Sequence, residues 1–482
     1  MRKLLLIGAA SIALGGSAMA VASQTPRSET FRMLELFGDV LAIVERAYVV
    51  EVDNTDLIEA ALRGMMTALD PHSSYMAPDD FDDLRERTEG SYSGVGLEIT
   101  SENGLVKVIS PMDGGPAARA GVNPGDVISA IEGQSAAGLT VSQVSERLRG
   151  AAGTDVTVTF MRDGEEPREV VLTREVIRVD SVTGRMEGEF AYIRVATFNE
   201  NTGRELNTVM AELKAENPDI RGYVLDLRNN GGGLLTAAIA VADAFLERGE
   251  IVSQRGRTPE QIERYAAQAG DLADGLPIAV LINYGSASAS EIVAGALQDH
   301  ERATLVGLTS FGKGSVQTVL PLREGRDGAL SITTARYYTP SGQSIQKIGI
   351  EPDLEVARSE AEGRIVSRSS FIYSEAAYSN ALDSSIGAER RGAHVPREAP
   401  GEDHPEDEDY QLQRALDVLR AGGDLARLAA APDTVVVTLP EPEETIRVAE
   451  GENDRLPRPG SEDARPTLGP EIIEESEDAD EE

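Results

Sequence analysis

The chain has 482 residues and a formal net charge of −37, with no Cys and no Trp. That length is enough for two to four domains with cores of their own. The charge argues against a nucleic-acid partner and an anionic membrane surface, and the lack of Cys excludes disulfides, thiolate catalysis and Cys-based metal sites.

Residues 1–20 read as a secretory signal: Arg2 and Lys3 are the basic start, Leu4 to Leu14 the apolar core, and Ala18-Met19-Ala20 the small-residue cleavage site. Cleavage is expected after Ala20; the alternative is an uncleaved N-terminal anchor. No other stretch reaches the roughly 18 apolar residues a span needs. The protein is expected to be exported, to a periplasmic space without ATP, and membrane-associated only if the signal is retained.

Residues 28–86 are expected to form a helical module. Phe31, Leu34, Phe37, Val40, Leu41 and Val44 recur at helical spacing. A second helix is expected over Thr55 to Leu69, capped by Asn54 or Thr55 and ended by Asp70-Pro71-His72-Ser73, because Pro cannot continue a helix. This module reads as a packing or assembly element, suited to a homo-oligomer, a dimer or larger.

Residues 87–177 change texture. Strand-like runs (Gly96–Thr100, Leu105–Ile109, Val127–Ile131, Val156–Phe160, Glu169–Leu172) alternate with Gly, Asn and Asp turns, and two helical pieces interrupt them, Pro116–Ala120 and Val141–Leu148. Gly94, Val95, Gly96 and Leu97 place glycines before a strand, where free N–H groups can take a peptide carboxylate while the strand edge pairs with the peptide. With the turn Gly121 to Asp126, this segment resembles a PDZ domain, β-rich and α+β.

Residues 178–356 read as layered α/β: strand Phe190–Val195, helix Thr202–Glu216, strand Arg221–Leu227, the turn Arg228-Asn229-Asn230-Gly231-Gly232-Gly233, then an apolar helix from Leu235 to Glu247. Residues 357–482 are Pro-rich and acidic, with one helix expected near 409–421 and a largely disordered remainder.

The richest stretch is Ile278 to Gln317. An apolar run ends in Gly285-Ser286-Ala287-Ser288-Ala289-Ser290-Glu291, where small residues permit a tight strand-to-helix turn. The competing reading is a Ser/Ala-rich helix cap built on Ser286, Ser288 or Ser290. Histidine is scarce. His394 and His404 fall in the C-terminal region, and His300 lies twelve residues beyond Ser288, about 18 Å along a helix axis. Only His72 could complete a Ser-His-Asp triad, and no zinc cluster suggests itself. Lysine is scarcer than arginine: only Lys3, Lys107, Lys214, Lys313 and Lys347 occur. A desolvated Lys can become a neutral base, whereas Arg cannot be deprotonated in proteins. Lys313, between two strand-like runs, has the most suitable setting. Gly307 to Gly314 imitates a P-loop but lacks the hydroxyl residue after the Lys.

Taken together these segments resemble the carboxyl-terminal processing peptidases, the S41 serine peptidases. They are Leu69 to Tyr75, Gly94 to Leu97, Leu225 to Asn230, Gly285 to Asp299, Phe311 to Gln317 and Tyr337 to Asp353. The resemblance implies an α/β multidomain protein, with a layered α/β (crotonase/ClpP-like) peptidase core, an inserted PDZ domain and an N-terminal helical module. It implies Ser288 as nucleophile, Lys313 as base and Gln317 as the residue orienting that Lys. It implies oxyanion donors at Ala289 N–H and in the Gly231–Gly233 loop, at Gly232, and substrate binding at Gly94, Val95, Gly96 and Leu97. No metal or cofactor is implied. Substrates would be polypeptides with accessible C-termini, with an adaptor or activator protein as a further partner. The rival readings are a catalytically silent PDZ scaffold that gathers peptide tails and a non-peptidase hydrolase on a similar sheet.

Overall fold

Apolar residues recur in three kinds of pattern, and each becomes a layer. The computed structural model describes residues 26–359, apart from 103, 113, 163 and 164, together with 374–384, 398–400, 404–405, 408–429 and 437–438. The signal segment, His394 and the acidic stretch 440–482 lie outside these residues.

Helices Pro26–Ala47 and Asn54–Thr67 open the described chain. The second is capped by Asp53, whose side chain accepts from Thr55 N at 2.7 Å, one residue earlier than the expected caps. The apolar stripe of the first helix is bare: Phe31, Leu34, Phe37 and Val40 are between 43% and 68% exposed. After the Asp70-Pro71 stop, strand Ser74–Met76 pairs antiparallel with the long strand Ala329–Tyr338. The N-terminal module is therefore tied into the main body.

The inserted domain is a sheet in the order Leu97–Glu102, Leu105–Pro111, Val127–Ile131, Asp155–Met161, Arg168–Thr173. Val106, Val108, Ile128, Val156, Val158 and Phe160 alternate inward and pack against Val144 and Leu148 of helix Val141–Leu148. Strand Ser91–Gly94 pairs with Glu175–Arg178 and closes the insertion at its base.

The main body has a six-stranded sheet in the order Val182–Glu187, Phe190–Val195, Tyr223–Asp226, Ile278–Ile282, Thr304–Gly307, Leu354–Glu355. Only the first pair is antiparallel. Every residue of Ile278–Ile282 is buried, as expected of a parallel strand covered on both faces. On one face Ile278, Val280 and Ile282 meet helices Thr202–Glu216, Leu235–Asp243 and Ala289–Asp299. On the other, Ala279 and Leu281 meet Leu412, Ala415, Val418 and Leu419 of helix Tyr410–Arg420. That C-terminal helix is an integral layer of the core. A second, five-stranded sheet joins Ser74–Met76, Ala329–Tyr338, Glu250–Arg255 and Ile262–Ala266, with Ser315–Pro321 paired to Ala329–Tyr338.

Candidate active site

Strand Ile278–Ile282 runs into helix Ala289–Asp299 through a turn that three polar side chains hold rigid. Ser286 Oγ donates to Leu227 O at 2.8 Å and accepts from Asn283 N at 3.0 Å. Ser290 Oγ donates to Asn230 O at 2.8 Å. Both serines are 0% exposed. Asn283 Oδ1 accepts from Asn229 N at 2.9 Å. Of the three candidate serines, Ser288 is the one whose hydroxyl donates to no protein group among the described residues. It is half-buried, with φ 55° and ψ −109°. A non-glycine residue held in this region marks a position its surroundings over-determine. Ser286 and Ser290 thus tie the turn to the neighbouring loop, while Ser288 stands at the N-cap position of the helix with its N–H on Glu291.

Glu291, fully buried one turn into the helix, binds the nucleophile turn to the lysine loop. Its Oε2 accepts from Ser288 N at 2.7 Å and from Lys313 N at 2.9 Å. Its Oε1 accepts from Ser310 Oγ and Gly312 N, both at 2.6 Å. Burial pushes this carboxyl up to about 7, against the pull of four donors that favour the ionised form.

Lys313 sits in the loop Phe311–Gly314. Gly314 N donates to Gln346 Oε1 at 3.0 Å and Lys347 N to Gly312 O at 2.9 Å. A Cβ on Gly314 would lie 2.4 Å from Gln346 N, so the loop needs glycine to pack there. Burial lowers the Lys313 amine from its ordinary value, and the charges of Glu375, Glu291 and Asp70 oppose that shift. Among the described residues the amine has no hydrogen-bond partner, Ser288 Oγ included.

The Gly231–Gly233 loop faces Ser288. A Cβ on Gly232, whose φ is +102°, would stand 2.9 Å from Ser288 Cβ and 3.1 Å from Ala289 N. Ala289 N–H opens the helix and donates to no protein group among the described residues, whereas Gly232 N–H donates to Asn230 Oδ1 at 2.9 Å. The loop is anchored from behind by Arg228. Its guanidinium bonds Asp226 (Nη2 to Oδ2, 2.7 Å), Asp409 (2.8 and 2.6 Å) and Gln411 (3.0 Å).

A serine at a strained strand-to-helix turn, a desolvated lysine and a glycine loop against the serine form a hydrolase constellation, and similarity to known proteins agrees. A model described as peptidase family S41 matches residues 189–356, a PDZ-domain model residues 107–162, and a model of the activating protease CtpB N-terminal domain residues 13–80. The chain is 46% identical over 411 residues to a carboxy-terminal-processing protease of Bartonella bacilliformis, covering 84% of this chain and 92% of that one. The chain belongs to the S41 peptidase family. It is a serine-type C-terminal processing protease with a PDZ domain, acting on polypeptides. It is also 38% identical over 320 residues to the chloroplastic C-terminal processing peptidase of Tetradesmus obliquus, covering 61% of this chain and 67% of that one. The solved photosystem II D1 C-terminal processing protease is 35% identical, with a TM-score of 0.39, covering 67% of this chain and 92% of that one.

Within the S41 core, Gln317 does not touch the Lys313 amine. Its Nε2 donates to Ser315 Oγ at 2.9 Å and to Thr333 Oγ1 at 3.3 Å. His72 pairs with Glu375 at 2.7 Å, and His300 Nε2 lies 2.7 Å from Glu250 O, so neither histidine serves Ser288. In the PDZ domain, Gly94 ends one strand and Leu97 begins the next. Val95 O accepts from Ala117 N at 3.0 Å and Gly96 O from Met112 N at 2.9 Å. Strand Leu97–Glu102 lies at the sheet edge with one partner. Sequence reasoning treated Glu291 only as a first-turn acid, and it missed Arg228, Asp409 and Glu375. The Ser-x-x-Glu spacing could have flagged Glu291 as a cross-link.

Proposed function

We propose that the chain is a serine endopeptidase that cleaves exported, periplasmic polypeptides near their C-termini through a Ser288–Lys313 dyad. The observation that supports this reading is the shared carboxylate: the backbone N–H groups of Ser288 and Lys313 meet on one Glu291 oxygen, which holds the serine turn against the lysine loop. Neutral Lys313 takes the Ser288 proton as Oγ attacks the scissile carbonyl. Ala289 N–H and the Gly231–Gly233 loop bind the oxyanion, with Gly232 the nearest of the three to Ser288. The Lys313 ammonium then protonates the leaving amine, and water releases the acyl group. Substrate must draw the amine onto Oγ and free Gly232 N–H from Asn230, because apo geometry is looser than the Michaelis complex. Gln317, through Ser315, steadies the strand that begins two residues after Lys313.

The open edge of Leu97–Glu102, entered through Gly94, Val95 and Gly96, suits addition of a substrate's C-terminal residues as a further strand. The bare stripe of Pro26–Ala47 supports a homo-oligomer and is also the natural face for an activator protein. The test is a casein digest, read on gels, by the full protein and by Ser288→Ala and Lys313→Ala. Both variants should fold and cleave nothing; cleavage by Ser288→Ala sinks the reading.

A further inference from the structure

Glu375 is 0% exposed and belongs to a short C-terminal segment, 374–384, laid across the lysine loop. Its N–H donates to Phe311 O at 2.9 Å, ahead of Lys313. Its Oε1 accepts from Gln346 Nε2 at 2.9 Å, and Gln346 Oε1 accepts from Gly314 N at 3.0 Å, behind Lys313. Its Oε2 meets His72 Nε2 at 2.7 Å. One residue therefore brackets the loop, by its backbone N–H on one side and through Gln346 on the other, and its side chain ties the loop to the N-terminal turn. Nothing in the proposed dyad uses this group.

We propose that Glu375 is a positioning residue for Lys313, holding the Phe311–Gly314 loop and presenting a fixed negative charge to its amine. The proposal rests on Lys313 being the base. A fully buried carboxylate is costly to maintain, and a glutamine beside the other tautomer of His72 could span the same two partners without that cost. What the carboxylate adds is charge. When Lys313 takes the Ser288 proton, an ammonium forms in a water-poor site, and Glu375 stabilises it. The other acidic groups whose charge acts on the amine are Glu291 from the nucleophile helix and Asp70 from the N-terminal turn, and the ring of His72 meets Glu375 itself. Among these charges Glu375 acts most strongly on Lys313.

The test is the pH profile of kcat/KM for the full protein on a casein-derived peptide, with Lys313→Ala as control. Glu375→Gln keeps the Gln346 bond through its carbonyl oxygen, can donate to His72 once Nε2 of that ring turns acceptor, and removes the charge. Its amine becomes a weaker base that stays neutral to lower pH, so its plateau should fall while its acid limb moves to lower pH. At a pH one unit below the wild-type midpoint, it should retain at least about threefold more of its own plateau activity than a profile of unmoved midpoint allows. Glu375→Asp should keep the wild-type limb. Glu375→Ala gives a second charge-free variant should the glutamine not fold, and circular dichroism checks both. A limb that stays in place or moves to higher pH overturns the proposal, whatever the plateau does, as does a folded Glu375→Gln enzyme inactive at every pH. An active Lys313→Ala control would overturn the dyad instead.

Discussion

Arg228 and Asp409, 181 residues apart, are joined by two charge-assisted hydrogen bonds of 2.8 and 2.6 Å. Arg228 precedes the glycine loop that faces Ser288, and Asp409 caps the helix that covers the far face of the central sheet, accepting from Leu412 N at 3.1 Å. One ion pair therefore links the outer layer to the glycine loop that faces Ser288. Asp409→Ala removes a cap and a charge partner while Asp226 still holds the guanidinium. The Asp409 side chain is 39% exposed, and solvent screening reduces its share. A loss of about 1–2 kcal/mol in urea unfolding is expected, with a drop in kcat larger than the change in KM.

The three serines of the turn separate cleanly by role. Ser286→Ala takes the acceptor from Asn283 N and should cost about 1–3 kcal/mol in stability, whereas Ser290→Ala leaves Asn230 O still bonded by Ala287 N and should cost about 0.5–1.5 kcal/mol. Ser288→Ala breaks no hydroxyl-to-carbonyl bond and should leave the melting temperature near that of the wild type while abolishing cleavage. Differential scanning calorimetry with the digest reads both effects on the same samples.

Glu291 and activity should respond to pH in opposite senses. Its folded-state value, about 7, lies above the unfolded 4.5. Its contribution to stability is therefore fully present below pH 4.5 and is lost as pH rises through about 7, a change on the order of 3 kcal/mol. Ionisation over the same window readies the carboxylate for its four donors, so activity should climb as this stability term declines. Glu291→Gln should flatten that part of the stability curve and place an amide N–H against N–H donors, costing activity at every pH. Paired urea melts and rate measurements between pH 4.5 and 8 check this.

Lys313→Met should be inactive and more stable than the wild type at neutral pH. Burial lowers the amine below its ordinary value. The protonated form is therefore disfavoured in the folded state, and the penalty is relieved as pH rises towards the unfolded value. The gain in melting temperature should be largest below the folded-state value and shrink at alkaline pH. Lys313→Arg should also be inactive, since a guanidinium cannot become a neutral base.

Gly232→Ala tests the loop. The position combines φ +102° with a would-be Cβ 2.9 Å from both Ala287 O and Ser288 Cβ. Strain of about 1–3 kcal/mol is expected, and kcat/KM should fall at least about tenfold as the loop retreats from Ser288.

Much of the site was legible because scarcity narrowed the choices. With few lysines and histidines in the chain, Lys313 stood out on residue chemistry, and the family resemblance separated Ser288 from Ser286 and Ser290. Helices Thr202–Glu216 and Val141–Leu148 follow their periodicity to the residue. The functions of Arg228, Asp409 and Glu375 were not legible, because each depends on a contact that local spacing does not encode. The amphipathic period of Tyr410–Arg420 was visible, but its docking face was not inferred. The clue lay in Ile278–Ile282: an unbroken apolar strand needs cover on both faces, and the helices before residue 356 supply only one. The bare stripe of the first helix marks the converse limit, since period shows which face is apolar and not what meets it.

The late position of Asp409 has a consequence for biogenesis. A chain that has emerged only as far as Val356 already carries Ser288, Lys313 and Glu291, yet the second face of its sheet is uncovered and Arg228 lacks its outer carboxylate. The candidate dyad is thus complete, at Lys313, almost a hundred residues of synthesis before Asp409 and the helix that covers its scaffold. The layer that anchors the glycine loop facing Ser288 is therefore synthesised after every candidate site residue.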